Sequence, residues 1–402
     1  MTVMIVFIVV YLGLALGGMP GLALDRTGVA LLGAIALLAT NQVTTPDLWQ
    51  AVDLPTIALL FGLMVVSAQF RLGGFYTHLV RRWAEVDIRP GLLLAGIIGL
   101  VGVLSALLAN DIVCLAVAPV LVEGCSRRSL NPKPFLLALA CSANVGSAAT
   151  LIGNPQNMLI GQVLDLSFSG YLWEALPPSL VGLAVVWLVV FALYKKAWTA
   201  DTPVPKLTAP PFSLWQTSKG LVVLALLVII FLFAPWPREI TALVAGGLLL
   251  CSRHMRTREM LGLVDWQLLL LFTCLFIVNY ALRNSGRLDQ AVQWLAGTGL
   301  VLEKPVWLFV LTVPLSNIVS NVPAVMLLLP YATHPLAGPV LALSSTLAGN
   351  LLIVGSIANI IVVDQAAHMG VRITWRDHAL VGLPVTVVTL ALAGAWLWLC
   401  TR

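Results

Sequence analysis

Apolar residues fill this chain in long blocks separated by short polar turns, and many blocks approach the roughly 20 residues that a helix needs to cross a bilayer. Ten of them read as spans, at about 1–18, 28–41, 54–70, 135–163, 176–194, 217–234, 239–252, 266–282, 338–363 and 379–400. Two more, 91–122 and 305–331, are too long for one helix and too short for two. Each carries polar residues and a helix breaker near its middle, which suits a re-entrant hairpin that enters and leaves on one side. Irregular backbone at that depth is tolerated only where protein or a water-filled cavity surrounds it. The pattern predicts an all-α polytopic membrane protein of about ten transmembrane helices plus two re-entrant hairpins.

The pattern also occurs twice. Residues 196–214, KAWTADTPVPKLTAPPFSL, are rich in Pro and Thr without helical periodicity and read as a cytoplasmic linker between halves 1–195 and 215–402. A shift of 212 matches Arg26 with Arg238, Val52 and Asp53 with Val264 and Asp265, Arg71 with Arg283, and Gly74 with Gly286. A shift of 211 matches ANDIVCLAVAP (Ala109 to Pro119) with SNVPAVMLLLP (Ser320 to Pro330). A shift of 202 matches GNPQN (Gly153 to Asn157) with GSIAN (Gly355 to Asn359), and Trp173 with Trp375. Five spans and one hairpin per half make an odd number of crossings, so the second copy is expected upside down. Inverted repeats of this kind build alternating access in many transporters.

Composition agrees with a bilayer as solvent. Of the 402 residues 60% are hydrophobic and only 10% charged, with mean hydropathy +0.99, against about 25% charged in soluble domains. The net charge of +5 reads as a basic excess in cytoplasmic loops, not as a nucleic-acid surface, because no basic patch is interleaved with aromatics. One orientation puts 17 of the 22 Lys and Arg inside. It leaves both termini outside an inner (plasma) membrane, with the hairpins entering from opposite faces. The N-terminal block lacks a basic leader and reads as the first span. The six cysteines are scattered without metal-ligand spacing.

Polar residues threaded through the apolar blocks are the candidate chemistry, since they are costly in a bilayer and by default mark a pathway or binding site. The hairpin tips offer Asn110 and Asp111 in the first half and Ser320 and Asn321 in the second. The broken spans 135–163 and 338–363 offer Asn144, Ser147, Thr150, Gly153, Asn154 and Asn157, and then Asn350, Gly355, Ser356 and Asn359. Gly and Pro there would interrupt the helices, freeing carbonyls for a cation and exposing helix N-termini to an anion or oxyacid. Sodium is the candidate cation, with Asn110, Asn144, Asn321 and Asn350 as its candidate ligands. Small polar residues also help membrane helices to pack, but the repetition at matched positions favours a site. Asp111, the one carboxylate expected deep in the membrane, is the candidate coupling group for a proton or a sodium ion. Asp53, Asp265 and Glu123 fall at helix ends and suit capping or interfacial solvation. No nucleophile triad, phosphate loop or metal cluster is present, so an enzyme is not expected. An ion channel is the rival from another class.

At these residues the chain resembles the ion transporter superfamily, which includes arsenite permeases, plant silicon-efflux transporters and divalent-anion/sodium symporters. Asn144 to Asn157 (NVGSAATLIGNPQN) is similar to its first broken-helix signature, and Ser320-Asn321-Val322 to its second hairpin tip. The resemblance implies scaffold and transport domains, a homodimer, an elevator-like movement, and substrate carried by the tips and broken helices. Dicarboxylate members carry Ser-Asn-Thr at both tips, whereas this chain has Ala109-Asn110-Asp111 and Ser320-Asn321-Val322. The first tip resembles the arsenite permease branch, and Gly153 to Asn157 the silicon-efflux branch. Both imply a small inorganic oxyacid or oxyanion, usually moved outward against proton entry. Sodium-coupled di- or tricarboxylate symport and sodium/proton antiport remain the alternatives.

Overall fold

The structure, a computed structural model, describes residues 1–19, 21–86, 88–200 and 211–400. The middle of the expected linker, with Lys206, and Arg402 lie outside the described residues.

The chain opens with α1 (Thr2–Leu16) and α2 (Arg26–Ala39), joined by two antiparallel two-residue strands, β1 (Gly18–Met19) and β2 (Leu24–Asp25). The short α3 (Thr45–Ala51), the long α4 (Leu54–Leu72) and the amphipathic α5 (Phe75–Glu85) follow. A helical hairpin comes next, α6 (Pro90–Leu107) and α7 (Asn110–Arg127), then an interrupted helix, α8 (Pro132–Ser147) and α9 (Pro155–Val163), and finally α10 (Phe168–Tyr194).

After the linker the same order of long, short, paired and interrupted helices returns. It begins with α11 (Leu214–Phe233), α12 (Arg238–Leu250), α13 (Thr257–Leu261), α14 (Trp266–Asn284) and α15 (Arg287–Gly297). The second hairpin is α16 (Pro305–Val319) and α17 (Asn321–Leu328), the latter extended by a 3₁₀ turn. The second interrupted helix is α18 (Ala337–Ala348) and α19 (Ile357–His368), and α20 (Trp375–Cys400) ends the chain.

Local chemistry explains the starts of these helices. Pro55, Pro90, Pro132, Pro155 and Pro305 sit in first turns, where a missing N–H removes a donor that the helix leaves unpaired anyway. Asp25, Asp53 and Asp265 cap α2, α4 and α14 by accepting from Gly28, Thr56 and Leu268 N–H at 2.8, 2.8 and 2.9 Å, so the two matched aspartates are caps, as expected.

Among the described residues six helices, α4, α6, α10, α11, α14 and α20, are long and apolar enough to cross a membrane. They include α6, which the sequence assigns to a hairpin arm. Its partner shows that the arm turns back: Arg128, just past α7, donates to the carbonyls of Val86 and Ile88, just before α6 (2.9 and 3.0 Å). Both open ends of the pair therefore lie together. The spans expected at 1–18, 28–41 and 239–252 correspond to helices of only 15, 14 and 13 residues.

α10 and α20 run antiparallel, since the Trp396 indole near the end of α20 donates to the Glu174 carbonyl near the start of α10 (2.8 Å). The first hairpin begins beside the end of α10, where Trp187 donates to the Gly91 carbonyl (2.9 Å). The second begins beside the end of α20, where Pro305 shares a cavity with Leu397. The two hairpins consequently open at opposite ends of the bundle.

Small residues set the closest approaches. α4 packs on α12 with Gly62 against the Ala242 backbone, and α6 crosses α8 with Gly146 against the Gly102 backbone. A Cβ at Gly146 would lie 2.4 Å from the Gly102 carbonyl oxygen. Gly146→Val is therefore expected to push the hairpin off the interrupted helix and to destabilise the protein by about 1–3 kcal/mol or more. The check is a thermal-unfolding midpoint well below wild type in detergent.

Candidate functional site

The two interrupted helices meet at their breaks, and side-chain amides bridge them. Within each break one asparagine replaces the missing helical donors. Asn157 donates through Nδ2 to the carbonyls of Ser147 (3.3 Å) and Thr150 (2.9 Å). Asn359 does the same to Gly349 (2.7 Å) and Leu352 (3.1 Å). Each acceptor in the second set lies 202 residues beyond its counterpart. Breaking a helix in an apolar bundle leaves carbonyls that water does not reach, so an internal donor has to serve them.

Between the breaks the contacts cross. The Asn144 Nδ2 donates to Asn350 Oδ1 (2.9 Å) and Asn359 Oδ1 (3.1 Å), and its Oδ1 accepts from Ser356 Oγ (2.9 Å) and Asn110 Nδ2 (3.4 Å). At the position 202 residues beyond Asn144, the Thr346 hydroxyl accepts from Asn154 Nδ2 (3.3 Å) and Gln156 Nε2 (3.1 Å) and donates to Asn157 Oδ1 (3.4 Å). Ser147 Oγ accepts from Asn154 Nδ2 (3.0 Å). Asn110, Asn144, Ser147, Asn154, Asn157, Asn350, Ser356 and Asn359 thus belong to one buried network.

The hairpin tips lean on this network. The Asn110 N–H donates to the Gly153 carbonyl (3.1 Å), and the Thr150 hydroxyl donates to the Ala106 carbonyl on α6. Asn321 is oriented by its neighbours, with its amide nitrogen donating to the carbonyls of Ser345 and Gly355 (3.1 Å each). The two break glycines admit the hairpins: a Cβ at Gly153 would lie 2.7 Å from the Ser105 carbonyl oxygen, and one at Gly355 2.8 Å from Asn317 Oδ1.

Two expected residues stand outside the network. Among the described residues no hydrogen bond or ion pair reaches the carboxylate of Asp111, whose N–H donates to Asn110 Oδ1 (3.0 Å), and none reaches the Ser320 hydroxyl. Ser320 instead carries φ +76°, ψ 159°, a region that glycine favours, at a strain of about 1–3 kcal/mol.

For sodium the arrangement is particular. The side-chain oxygens of Asn110, Asn144 and Asn350 already accept hydrogen bonds, and the Asn321 amide is oriented by the two carbonyls that its nitrogen serves. No Lys or Arg side chain bonds to the cluster among the described residues, so its polar surface is made of amides, hydroxyls and carbonyls.

Several residues of the site were not among those singled out from the sequence. Thr346 was within reach of it, because the 202-residue shift pairs it with Asn144. Tyr171, whose hydroxyl donates to the Ala148 carbonyl (2.7 Å) and accepts from Asn157 Nδ2 (3.1 Å), gave no such signal. Nor did His378, whose buried Nε2 meets the Asn350 carbonyl (3.0 Å) where Gly382 lets α20 approach. Glu123 is the one correction among the flanking charges. Far from being solvated at the interface, it is buried between Arg81 (3.0 Å) and Arg127 (2.7 Å) and pins α5 to α7, because α5 covers the end of the hairpin.

Long apolar helices wrapped around two interrupted ones with a buried polar centre define an integral, multi-pass membrane protein. The citrate transporter (CitMHS) family matches residues 3–340, and the chain belongs to that family. It is 30% identical to a 46 kDa membrane protein of Mycobacterium leprae, covering 93% of this chain and 94% of that one. It is 27% identical to the silicon efflux transporter LSI3 of Oryza sativa subsp. japonica (93% and 92%), and 30% identical to the inner membrane protein YbiR of Escherichia coli (83% and 85%). The crystal structure of the Alcanivorax borkumensis YdaH transporter shares the fold over 100% of this chain and 98% of that one, with a TM-score of 0.56 at 15% identity. The chain is a membrane transporter and not an enzyme.

Asn359→Leu removes the donor to the buried Gly349 carbonyl and to the partly exposed Leu352 carbonyl, and is expected to lower stability by about 1–3 kcal/mol. Ser320→Gly relieves the strained tip and is expected to raise the thermal midpoint. Thermal unfolding of the two variants beside wild type checks both signs.

Proposed function

We propose that the protein is a secondary active transporter of a small inorganic oxyacid or oxyanion, of the arsenite or silicate type, coupled to protons and working by elevator-like alternating access. The observation that carries the reading is the chemistry of the centre. It presents neutral donors and acceptors, with the Asp111 carboxylate beside them and, among the described residues, no Lys or Arg bonded to them. A weakly acidic hydroxide that arrives uncharged matches such a surface without a counter-ion. A multiply charged carboxylate would need cations brought with it, because a charge taken into a dry site without a partner is strongly disfavoured.

The two halves are read as inverted repeats, 1–195 and 215–402. This is supported by the recurring helix order, by the antiparallel run of α10 and α20, and by hairpins that open at opposite ends. The hairpins, interrupted helices, α10 and α20 are proposed to move together, on a scaffold of the remaining helices. A homodimer with both termini outside the inner membrane completes the proposal.

Asp111 is the proposed coupling group. Its matched position holds Val322, so the second tip has no carboxylate there, and the Asp111 side chain is only partly exposed and without a hydrogen-bond partner. Protonation and release as the tip changes its exposure would link proton flux to substrate, as symport or antiport.

A second reading, sodium-coupled carboxylate transport, is favoured by the description of the family as citrate transporters. Proteoliposomes offered arsenite, silicate, citrate and succinate across imposed pH and sodium gradients separate the two. Uptake of an oxyacid driven by the pH gradient is expected, and uptake confined to a carboxylate with sodium would overturn the first reading. In the same assay Asp111→Asn is expected to abolish the pH dependence of transport. Full transport with an unchanged pH profile would remove Asp111 from coupling.

A further inference from the structure

The two hairpins differ in what lies behind their first arms. In the first half α6 packs directly on α10, and aromatic side chains fill the contact. Trp187 donates to the Gly91 carbonyl (2.9 Å) and stacks on Phe191 at 5.2 Å, while Phe191 covers Gly91. Trp198 continues the layer, with ring centroids 6.1 Å from Phe191 and 5.9 Å from Phe135.

On α20 a residue that faces the first arm of the second hairpin is a glycine, Gly394, where an added Cβ would meet only Phe309 at 3.9 Å. Among the described ring contacts, no pair of aromatic side chains on α20 stacks there as Trp187 and Phe191 do on α10. A cavity of about 400 Å³ remains between α16 and α20, lined by Pro305, Phe309, His334, Val340, Gly394 and Trp398. That volume lies within the roughly 300–1,000 Å³ of small-molecule sites. Its lining is almost wholly apolar, and its flanks carry the exposed Val306, Val310 and Leu399, so it opens toward the bilayer and not toward the polar centre. Its mouth lies at the end of the bundle where the second hairpin opens. There His334 Nδ1 accepts from the Leu336 N–H (3.1 Å), which leaves Nε2 as the proton-bearing nitrogen of the neutral ring and a donor to an ester or phosphate oxygen.

We infer that this groove is a binding site for one acyl chain of a membrane phospholipid, which fills the gap that Gly394 leaves between α20 and α16. A void of this size between helices forfeits dispersion contacts on both walls, and within a bilayer the apolar group at hand to restore them is a lipid tail. The bound chain would join α16 to α20 and hold the first arm of the second hairpin against the helices around the polar centre.

The test uses the full-length protein in vesicles of phosphatidylethanolamine and phosphatidylglycerol doped with a phosphatidylethanolamine that carries a photoactivatable diazirine on its acyl chain. After irradiation, peptides containing Phe309 and Leu397 are expected to be labelled several-fold more heavily than those from the exposed face of α1 at Ile5, Ile8 and Leu12. Gly394→Trp, at a position where an added Cβ meets only Phe309 at 3.9 Å, is expected to reduce the groove label to the level of α1 and to leave α1 unchanged. Gly394→Leu fills less of the groove and gives an intermediate loss, which keeps the test decisive should the Trp variant fail to fold. Groove labelling no heavier than that of α1, or unchanged by both substitutions, would show annular lipid only and overturn the inference. The readout needs no substrate and stands apart from what the transporter carries.

Discussion

Carbonyls released inside an apolar bundle constrain everything else in this protein. Two helices stop short and restart, and most of the groups freed at the breaks are buried in the bundle. Asn157 and Asn359 each serve two of these carbonyls. Their own oxygens accept from Thr346 and Asn144 on the opposite interrupted helix. The repair of one break is thereby tied to the other, and the breaks cannot shift independently. The hairpin tips are then placed by leaning on the carbonyls of Gly153, Ser345 and Gly355.

This economy gives the centre its chemical character. Nearly every amide is already engaged, so the polar centre is a rigid, neutral frame and not a set of idle ligands. The two halves differ at matched positions around this centre. Asp111 stands at one tip and Val322 at the other, and His378 holds the Asn350 carbonyl where the first half has Leu176. The buried Glu123 between Arg81 and Arg127 likewise belongs to one hairpin only, since the position 211 residues beyond Glu123 is His334. A buried charge with two partners is sensitive to losing either one, whereas the exit of the second hairpin is tied by a neutral group, the Tyr331 hydroxyl donating to Asp289 (2.7 Å).

Much of the architecture was legible in the chain itself. The apolar blocks, the proline starts and the glycines of the breaks located the helices, both hairpins and both interruptions, because hydropathy and backbone propensity are properties of neighbours in sequence. The 202-residue shift even pointed to the equivalence of Asn157 and Asn359. Lengths were less certain: α6 is as long and apolar as a full span, and only the contact of Arg128 with Val86 and Ile88 reveals that the chain turns back.

What only the tertiary structure decided is which polar group meets which. Composition marked Asn144 as costly in a membrane, but its place as the bridge to Asn350, Asn359 and Ser356 depends on atoms some two hundred residues apart in the chain. Tyr171, His378 and the burial of Glu123 were hidden for the same reason, since a hydrogen bond depends on distance and direction between elements and no local pattern encodes either. The residues by themselves determined that this chain would break two helices inside a membrane; the packing of the halves determined how the broken ends are satisfied, and with that the neutral character of the polar centre.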